Sequence, residues 1–294
     1  MTAAAPAAST GAPVVEERGG QWRRIIAYTL LIAWALLMFV PFGWTVITSL
    51  KTRPEALQFS LPADPTLAGY IHAWNSIDPG LPQMIFSSLM LAGVVTLTNL
   101  FLGSMAGYAF ARLNFPGRDV LFVVVLATLM IPDQLRIVPV YQIMNFLGLI
   151  NKNPTNYLSV ILVLAVSATS IFLLRQYFLT IPRDLEEAAR IDGAGYFQTF
   201  WQVILPLATP ALAAVGILQF QGTWNGLFWP LVFLSQAKDH WTLPIGLTQF
   251  QGVFSTNWPP LMAVVVVATL PILVLYIFFQ RYFVEGIAAA GVKG

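Results

Sequence analysis

The stretch Pro182–Pro206, PRDLEEAARIDGAGYFQTFWQVILP, decides how this chain is organised. It carries Arg183, Asp184, Glu186, Glu187, Arg190 and Asp192, while its flanks, Tyr157–Leu174 and Leu207–Leu234, carry no charge at all. Such an island is expected outside a bilayer, touching water or another protein. Four more uncharged runs follow the same pattern, Ile25–Leu50, Gln83–Ala111, Val120–Ile131 and Leu261–Gln280. The third reaches span length only if it continues past Pro132 to about Val140.

Composition agrees. Hydrophobic residues make up 57% of the 294 and charged residues 10%, with a mean hydropathy of +0.72. A soluble domain is about a quarter charged, so the chain reads as all-α and polytopic, with six transmembrane helices. The ten-residue alternation of a membrane β-barrel is absent. Lys and Arg set the orientation. Ten of them fall in the N-terminal tail, the second and fourth loops and the C-terminal tail, against five in the other loops. Both termini and the island are therefore expected in the cytoplasm. The domain boundaries follow: a disordered tail over 1–24, a first span with its external loop over 25–82, a membrane core over 83–281 and a C-terminal tail over 282–294. The external loops Lys51–Pro82, Pro132–Asn156 and Ser235–Pro260 are rich in Pro, Asn, Trp and Tyr. They either seat a soluble partner or only connect helices.

Several chemistries are excluded. The lysines follow Leu50, Asn151, Ala237 and Val292, so no glycine-preceded phosphate loop exists and the chain is not expected to hydrolyse ATP. Cys is absent, which removes thiolate metal sites, and His72 and His240 stand one per loop, a poor metal set. No hydrolase or zinc-protease signature occurs. No enzyme activity, metal or cofactor is expected in this chain. None of the six runs has an ionisable residue near its middle, where ion-driven carriers place one. Energy is expected to enter from outside the lipid.

Within the island, Asp184 is placed to cap a helix from Leu185, with Glu187 completing a capping box and Gly193 suited to a left-handed end. Phe197, Phe200, Trp201, Ile204 and Leu205 follow at helical spacing and form a face for the membrane boundary before Pro206 opens the fifth span. Ala188 and Ala189 offer close approach, and Glu186, Glu187 and Arg190 offer pairing groups. A solvated hairpin and a docking element both fit these residues.

Glu187-Ala188-Ala189, then Gly193, then Val203-Ile204-Leu205-Pro206 resembles the EAA motif of type I ABC importer permeases, which reads E-A-A, three residues, G, nine residues, I-x-L-P. Only the motif's Ile differs, as Val203. Asp192-Gly193-Ala194, Trp224-Asn225 with Trp229-Pro230, and Gly291-Val292-Lys293-Gly294 are similar to the carbohydrate-uptake branch, most of all to the smaller permease of maltose-type systems. The resemblance implies the type I importer permease fold in a bacterial or archaeal cytoplasmic membrane. It implies two ABC ATPase subunits holding ATP and Mg, a second permease and an extracytoplasmic solute-binding protein as partners. Docking to the ATPase would fall to Glu186, Glu187, Ala188, Ala189, Arg190, Asp192, Gly193, Leu205 and Pro206. The tail Gly291, Val292, Lys293 and Gly294 would reach between ATPase subunits.

A solute pathway has candidates in the fifth run. Gln219, Gln221 and Asn225 are polar groups that need partners in an apolar setting, and Trp224, Phe228 and Trp229 could pack on sugar rings. Interhelix hydrogen bonds and packing explain the same residues. Asn99 poses the same choice in the second run. Gly103/Gly107 and Gly222/Gly226 have the spacing of close helix contacts. The expected function is translocation of a sugar or oligosaccharide. A glycerol-phosphate-type solute, a stand-alone carrier and a non-transporting scaffold are the rivals.

Overall fold

The computed structural model describes residues 18–75, 78–150, 156–250 and 256–291, with side chains described from 22 to 280. Most of the expected N-terminal tail, and Val292, Lys293 and Gly294, lie outside the described residues. The chain divides into two units, residues 1–46 and 47–294. The first is carried by α1 (Arg18–Ser49), which starts ahead of Ile25 because Trp22-Arg23-Arg24 already lie in helix. From Trp22 to Phe42 every side chain of α1 is exposed. A helix apolar on all sides suits lipid or a partner as its surroundings.

The second unit contains α2 (Ala68–Asn75), α3 (Leu81–Arg112), α4 (Arg118–Ala127), α5 (Asp133–Phe146), α6 (Asn156–Leu164), α7 (Ala168–Thr180) and α8 (Asp184–Ile191). It continues with α9 (Tyr196–Thr199), a π-helical turn over Phe200–Ile204, α10 (Leu205–Leu207), α11 (Thr209–Trp224), α12 (Phe228–Leu234), α13 (Leu243–Leu247) and α14 (Trp258–Gly291). The helix of α14 thus runs into the expected C-terminal tail, as far as Gly291.

Among the described residues three helices are long and apolar enough to cross a membrane, Trp22–Ser49, Leu81–Arg112 and Trp258–Gln280, and six if each bent pair counts as one span. The bends correct the straight runs expected from hydropathy. The third run does not continue past Pro132, since the chain turns by 106° between Met130 and Asp133. A proline lacks the N–H that would carry the helix on. The fourth is broken by 41° between Leu164 and Ala168 and runs on to Thr180, so Arg175 lies inside a helix instead of a loop. The fifth does not open at Pro206. The chain bends by 78° after Leu207, α11 starts at Thr209, and it ends at Trp224 ahead of a separate α12.

The hub is α3, packed along α7 and α11. Its buried face repeats every three or four residues through Met84, Ser88, Leu91, Val95, Asn99, Gly103, Gly107 and Ala111, the period of a one-sided helix. Gly103 and Gly107 let α7 come close, as the helical spacing predicts. A Cβ on Gly107 would stand 3.1 Å from the Arg175 amide nitrogen, and one on Gly103 3.3 Å from the Ser170 Cβ.

Asn99, fully buried, answers the question its position poses: its partner is a neighbouring helix. Its Nδ2 donates to the Leu164 carbonyl at 2.6 Å and to the Val95 carbonyl at 3.0 Å. Its Oδ1 accepts from the Ser167 amide at 2.8 Å and from the Ser170 hydroxyl at 3.3 Å. Leu164 and Ser167 flank the break between α6 and α7, so one side chain satisfies the backbone groups that the break releases.

Loops sort to two ends of this unit. At one end Gln83 donates to the Asp239 carbonyl, the hydroxyls of Ser87 and Tyr157 pair at 2.7 Å, and the Tyr157 ring meets His240 edge-on at 4.3 Å. At the other end Arg112, Phe178, Ile181 and Glu186 come together.

Two outcomes follow from these contacts. Asn99→Leu strands the Leu164 carbonyl and the Ser167 amide and is expected to cost about 1–3 kcal/mol, read as a lower thermal midpoint in detergent. Burial pushes the His240 imidazole down, outweighing the upward pull of Asp239. The unfolded chain, with a histidine pKa of about 6.5, then binds more protons, so stability falls as pH drops below that value until the folded pKa is passed. Thermal midpoints across this window are expected to flatten in His240→Gln.

Candidate functional site

The island folds as a hairpin, with α8 as its first limb. Arg183, not Asp184, occupies the cap position, and no side chain caps the helix. Asp184, Glu186 and Glu187 sit instead in the first turn, where carboxylates favour the positive end of the helix dipole. The other end is as the spacing predicts. Gly193 has φ of +88°, its amide donates to the Arg190 carbonyl at 3.0 Å, and the Ala194 amide donates to the Ala189 carbonyl at 2.9 Å. This paired closure is the Schellman arrangement, and only glycine adopts that backbone without strain. Arg190 lies 4.5 Å over the Tyr196 ring and clips the turn to the second limb.

Helix phase divides α8 into two faces. Asp184, Glu187, Ala188 and Ile191 point outward and are exposed, at the i, i+3, i+4, i+7 positions of one stripe. Glu186 points inward and Ala189 is half-buried. Of the residues expected at a docking surface, Glu187, Ala188, Arg190, Asp192 and Gly193 are exposed, while Glu186 is held in an ion pair with Arg112 at 2.9 Å. The second limb splits likewise. Phe200 and Ile204 are buried beside Tyr108, Leu174 and Phe178, whereas Phe197 and Pro206 are exposed and Leu205 is half-buried.

The pathway candidates also separate. Trp224 is 2% exposed, donates from Nε1 to the Ala268 carbonyl at 2.9 Å and stacks on Phe220 at 5.8 Å. Trp229 is buried among Leu91, Val160 and Phe233, with Phe228 packed at its side. Gln219 is half-buried and donates weakly to the Thr223 hydroxyl at 3.3 Å. The tryptophans therefore belong to the core. Gln221 on α11 and Asn225 at its C-terminal cap remain exposed, one helical turn apart. Gly222, between them, has open space where a side chain would stand, so it makes no close helix contact, contrary to its spacing. Leu218, Gln221, Gly222 and Asn225 form one uncovered stripe, and its amides need a polar partner in an apolar surround.

Arg112 carries more than the inside-positive signal read from sequence. Its Nη2 donates to the carbonyls of Phe178, at 2.6 Å, and Ile181, besides the ion pair with Glu186. The signal available in sequence was a cation ending an apolar run, together with a carboxylate beyond the one the EAA motif needs.

Trp224→Ala is expected to cost about 3–5 kcal/mol, as large-to-small core changes do. Gln221→Ala and Asn225→Ala are expected to stay within about 0.5 kcal/mol of the parent chain. Thermal unfolding of the three variants in one detergent checks both statements, and equal losses would return the tryptophan to the pathway.

Comparison with known proteins places the whole chain. Residues 99–288 match the family model described as binding-protein-dependent transport system inner membrane component. The chain is similar to the arabinooligosaccharides transport system permease protein AraQ of Halalkalibacterium halodurans, at 37% identity over 92% of this chain and 98% of that one. It is also similar to the diacetylchitobiose uptake system permease protein NgcG of Streptomyces coelicolor, at 37% identity over 87% and 84%. Among solved structures, a chain of a bacterial ABC transporter involved in the import of the acidic polysaccharide alginate superposes with a TM-score of 0.77 at 25% identity, covering 91% of this chain and 98% of that one. With a family match that starts at Asn99, takes in the whole hairpin and reaches into the last helix, the chain belongs to the inner-membrane permease components of binding-protein-dependent ABC transport systems.

Proposed function

We propose that this subunit forms half of the membrane pathway of an ATP-driven importer for a sugar or oligosaccharide, and that α8 is where the ATPase acts on it. One observation carries the reading. A glycine-closed helix presents Glu187, Ala188 and Ile191 on an exposed stripe at the end of an otherwise apolar bundle. With Asp184 on the same stripe, a surface with two small or apolar residues beside two carboxylates suits a groove on a soluble partner. Asp192, Arg190 and Gly193 border that stripe, while Leu205 and Pro206 shape the second limb. Gly291 to Gly294 would supply a further contact from the C-terminal tail.

The assembly in this reading holds one second permease, two ATPase copies and an external solute-binding protein. The six-span arrangement, with both termini and the hairpin cytoplasmic, is supported by the Lys/Arg asymmetry. The solute class rests on relatives whose names concern arabino-oligosaccharides and diacetylchitobiose. The stripe of Gln221 and Asn225 fits such cargo, because hydroxyls exchange hydrogen bonds with amides. Within the carbohydrate branch, the smaller permease of a maltose-type pair is the proposed place for this chain. Closure of the ATPases would shift the equilibrium between inward- and outward-open states by binding α8 differently in each.

The test is co-purification from mild detergent with and without Glu187→Lys. The wild-type chain is expected to bring down an ATPase and a second permease. The charge reversal is expected to weaken the ATPase contact by about tenfold or more, a change of about 1.4 kcal/mol or greater. A stable homo-oligomer, indifferent to the mutation, would point to a stand-alone carrier instead.

A further inference from the structure

We propose that Arg112 and Glu186 are a positioning pair that keys α8 to the ends of α3 and α7, so that a push on α8 moves both helices together. The proposal rests on the docking reading above and adds the residues that transmit it. Arg112 is the last residue of α3. Its Nε stands 2.9 Å from the Glu186 Oε1 of α8, a charge contact without hydrogen-bond alignment, and the two side chains are only 3% and 7% exposed. The same guanidinium donates to the carbonyls of Phe178 and Ile181, which close the C-terminal end of α7. One planar group with five donors therefore ties three elements.

Apolar packing of Phe200 and Ile204 against Tyr108, Leu174 and Phe178 seats the second limb, and the ion pair seats α8. The second limb meets α3 through Phe200, whose ring centroid lies 5.0 Å from that of Tyr108. Yet a cavity of about 260 Å³ remains between Met105, Ala109 and Leu113 on α3 and Tyr196 and Phe197 on the hairpin. Apolar contact across that gap would let the limb slide. The ion pair does not, because an ion pair in a dry setting weakens steeply once its geometry is lost. Glu186 and Glu187 thus divide the labour of two adjacent carboxylates, one facing the bundle and one facing outward. The turn at Gly193 can bend without loosening α8 from α3.

The absence of cysteine makes the test direct. Spin labels at Leu185→Cys on α8 and Leu97→Cys on α3 occupy exposed positions outside the proposed docking and pathway residues. The distance between them is measured in the assembled complex, with its ATPases and companion permease, without and with Mg-ATP. In the wild-type background one narrow distribution is expected in both states. In R112M/E186L, where an apolar pair of similar bulk keeps the contact buried, the distribution is expected to broaden and shift with nucleotide. ATPase co-purification is expected to stay at wild-type levels, while the thermal midpoint falls because the carbonyls of Phe178 and Ile181 lose their donor. Uptake and solute-stimulated ATP turnover are expected to fall about tenfold, within the usual range for coupling between sites. Glu186→Gln, which keeps size and loses charge, is expected to fall between the two. A wild-type distance distribution and wild-type coupling in either assembled variant overturn the proposal. Loss of ATPase co-purification in Glu186→Gln also overturns it, since Glu186 would then be a contact residue. If Glu187→Lys keeps its ATPase, the docking reading fails instead, and the distance result in R112M/E186L still decides whether the pair holds α8 rigidly.

Discussion

Backbone polar groups inside an apolar medium must find partners within the protein, and the architecture around α3 depends on how that constraint is met. Straight helices meet it by themselves. Broken ones need help, and the break between Leu164 and Ala168 receives it from Asn99 across the helix interface. That bond requires α7 to lie close, and Gly103 and Gly107 allow the approach. Close approach in turn brings the end of α3 beside the end of α7, so that Arg112 reaches the carbonyls of Phe178 and Ile181. The hairpin's position is thus traceable, contact by contact, to one buried amide in the middle of α3.

What could be read from sequence follows the same physics. Ile25–Leu50, Gln83–Ala111 and Leu261–Gln280 read as helices because an unbroken apolar run of bilayer length has few other fates. The three remaining runs read as spans too, but their bends did not, because hydropathy sums composition and is blind to direction. Pro132 stood in plain view and was still consistent with either a kinked span or a turn. In the hairpin, Gly193 was legible because a left-handed residue after a short helix leaves little choice. Glu186 and Glu187 were not separable, since adjacent identical residues differ only in helix phase and in what lies opposite. Trp224 and Trp229 could not be placed from sequence for a related reason. An aromatic suits a sugar ring and a helix core equally well, and only the Ala268 carbonyl and the cluster around Phe233 decide between them.

The proposed role of α8 asks it to be firm where it meets the bundle and free where it would meet a partner, and the adjacent residues Glu186, buried, and Glu187, exposed, fit both demands. Buried ion pairs are poor sources of net stability, because desolvation offsets most of their attraction. Their use here is geometric. A leucine against a leucine tolerates a shift of an ångström at little cost, whereas a carboxylate leaving a guanidinium in a dry site does not. On the outer face the demand is reversed. In the proposed docking, Ala188 and Ile191 would add contact area without fixing orientation. The glycine turn, closed by the Arg190 and Ala189 carbonyls, ends α8 on the side away from α3 and lets the chain reverse into the second limb.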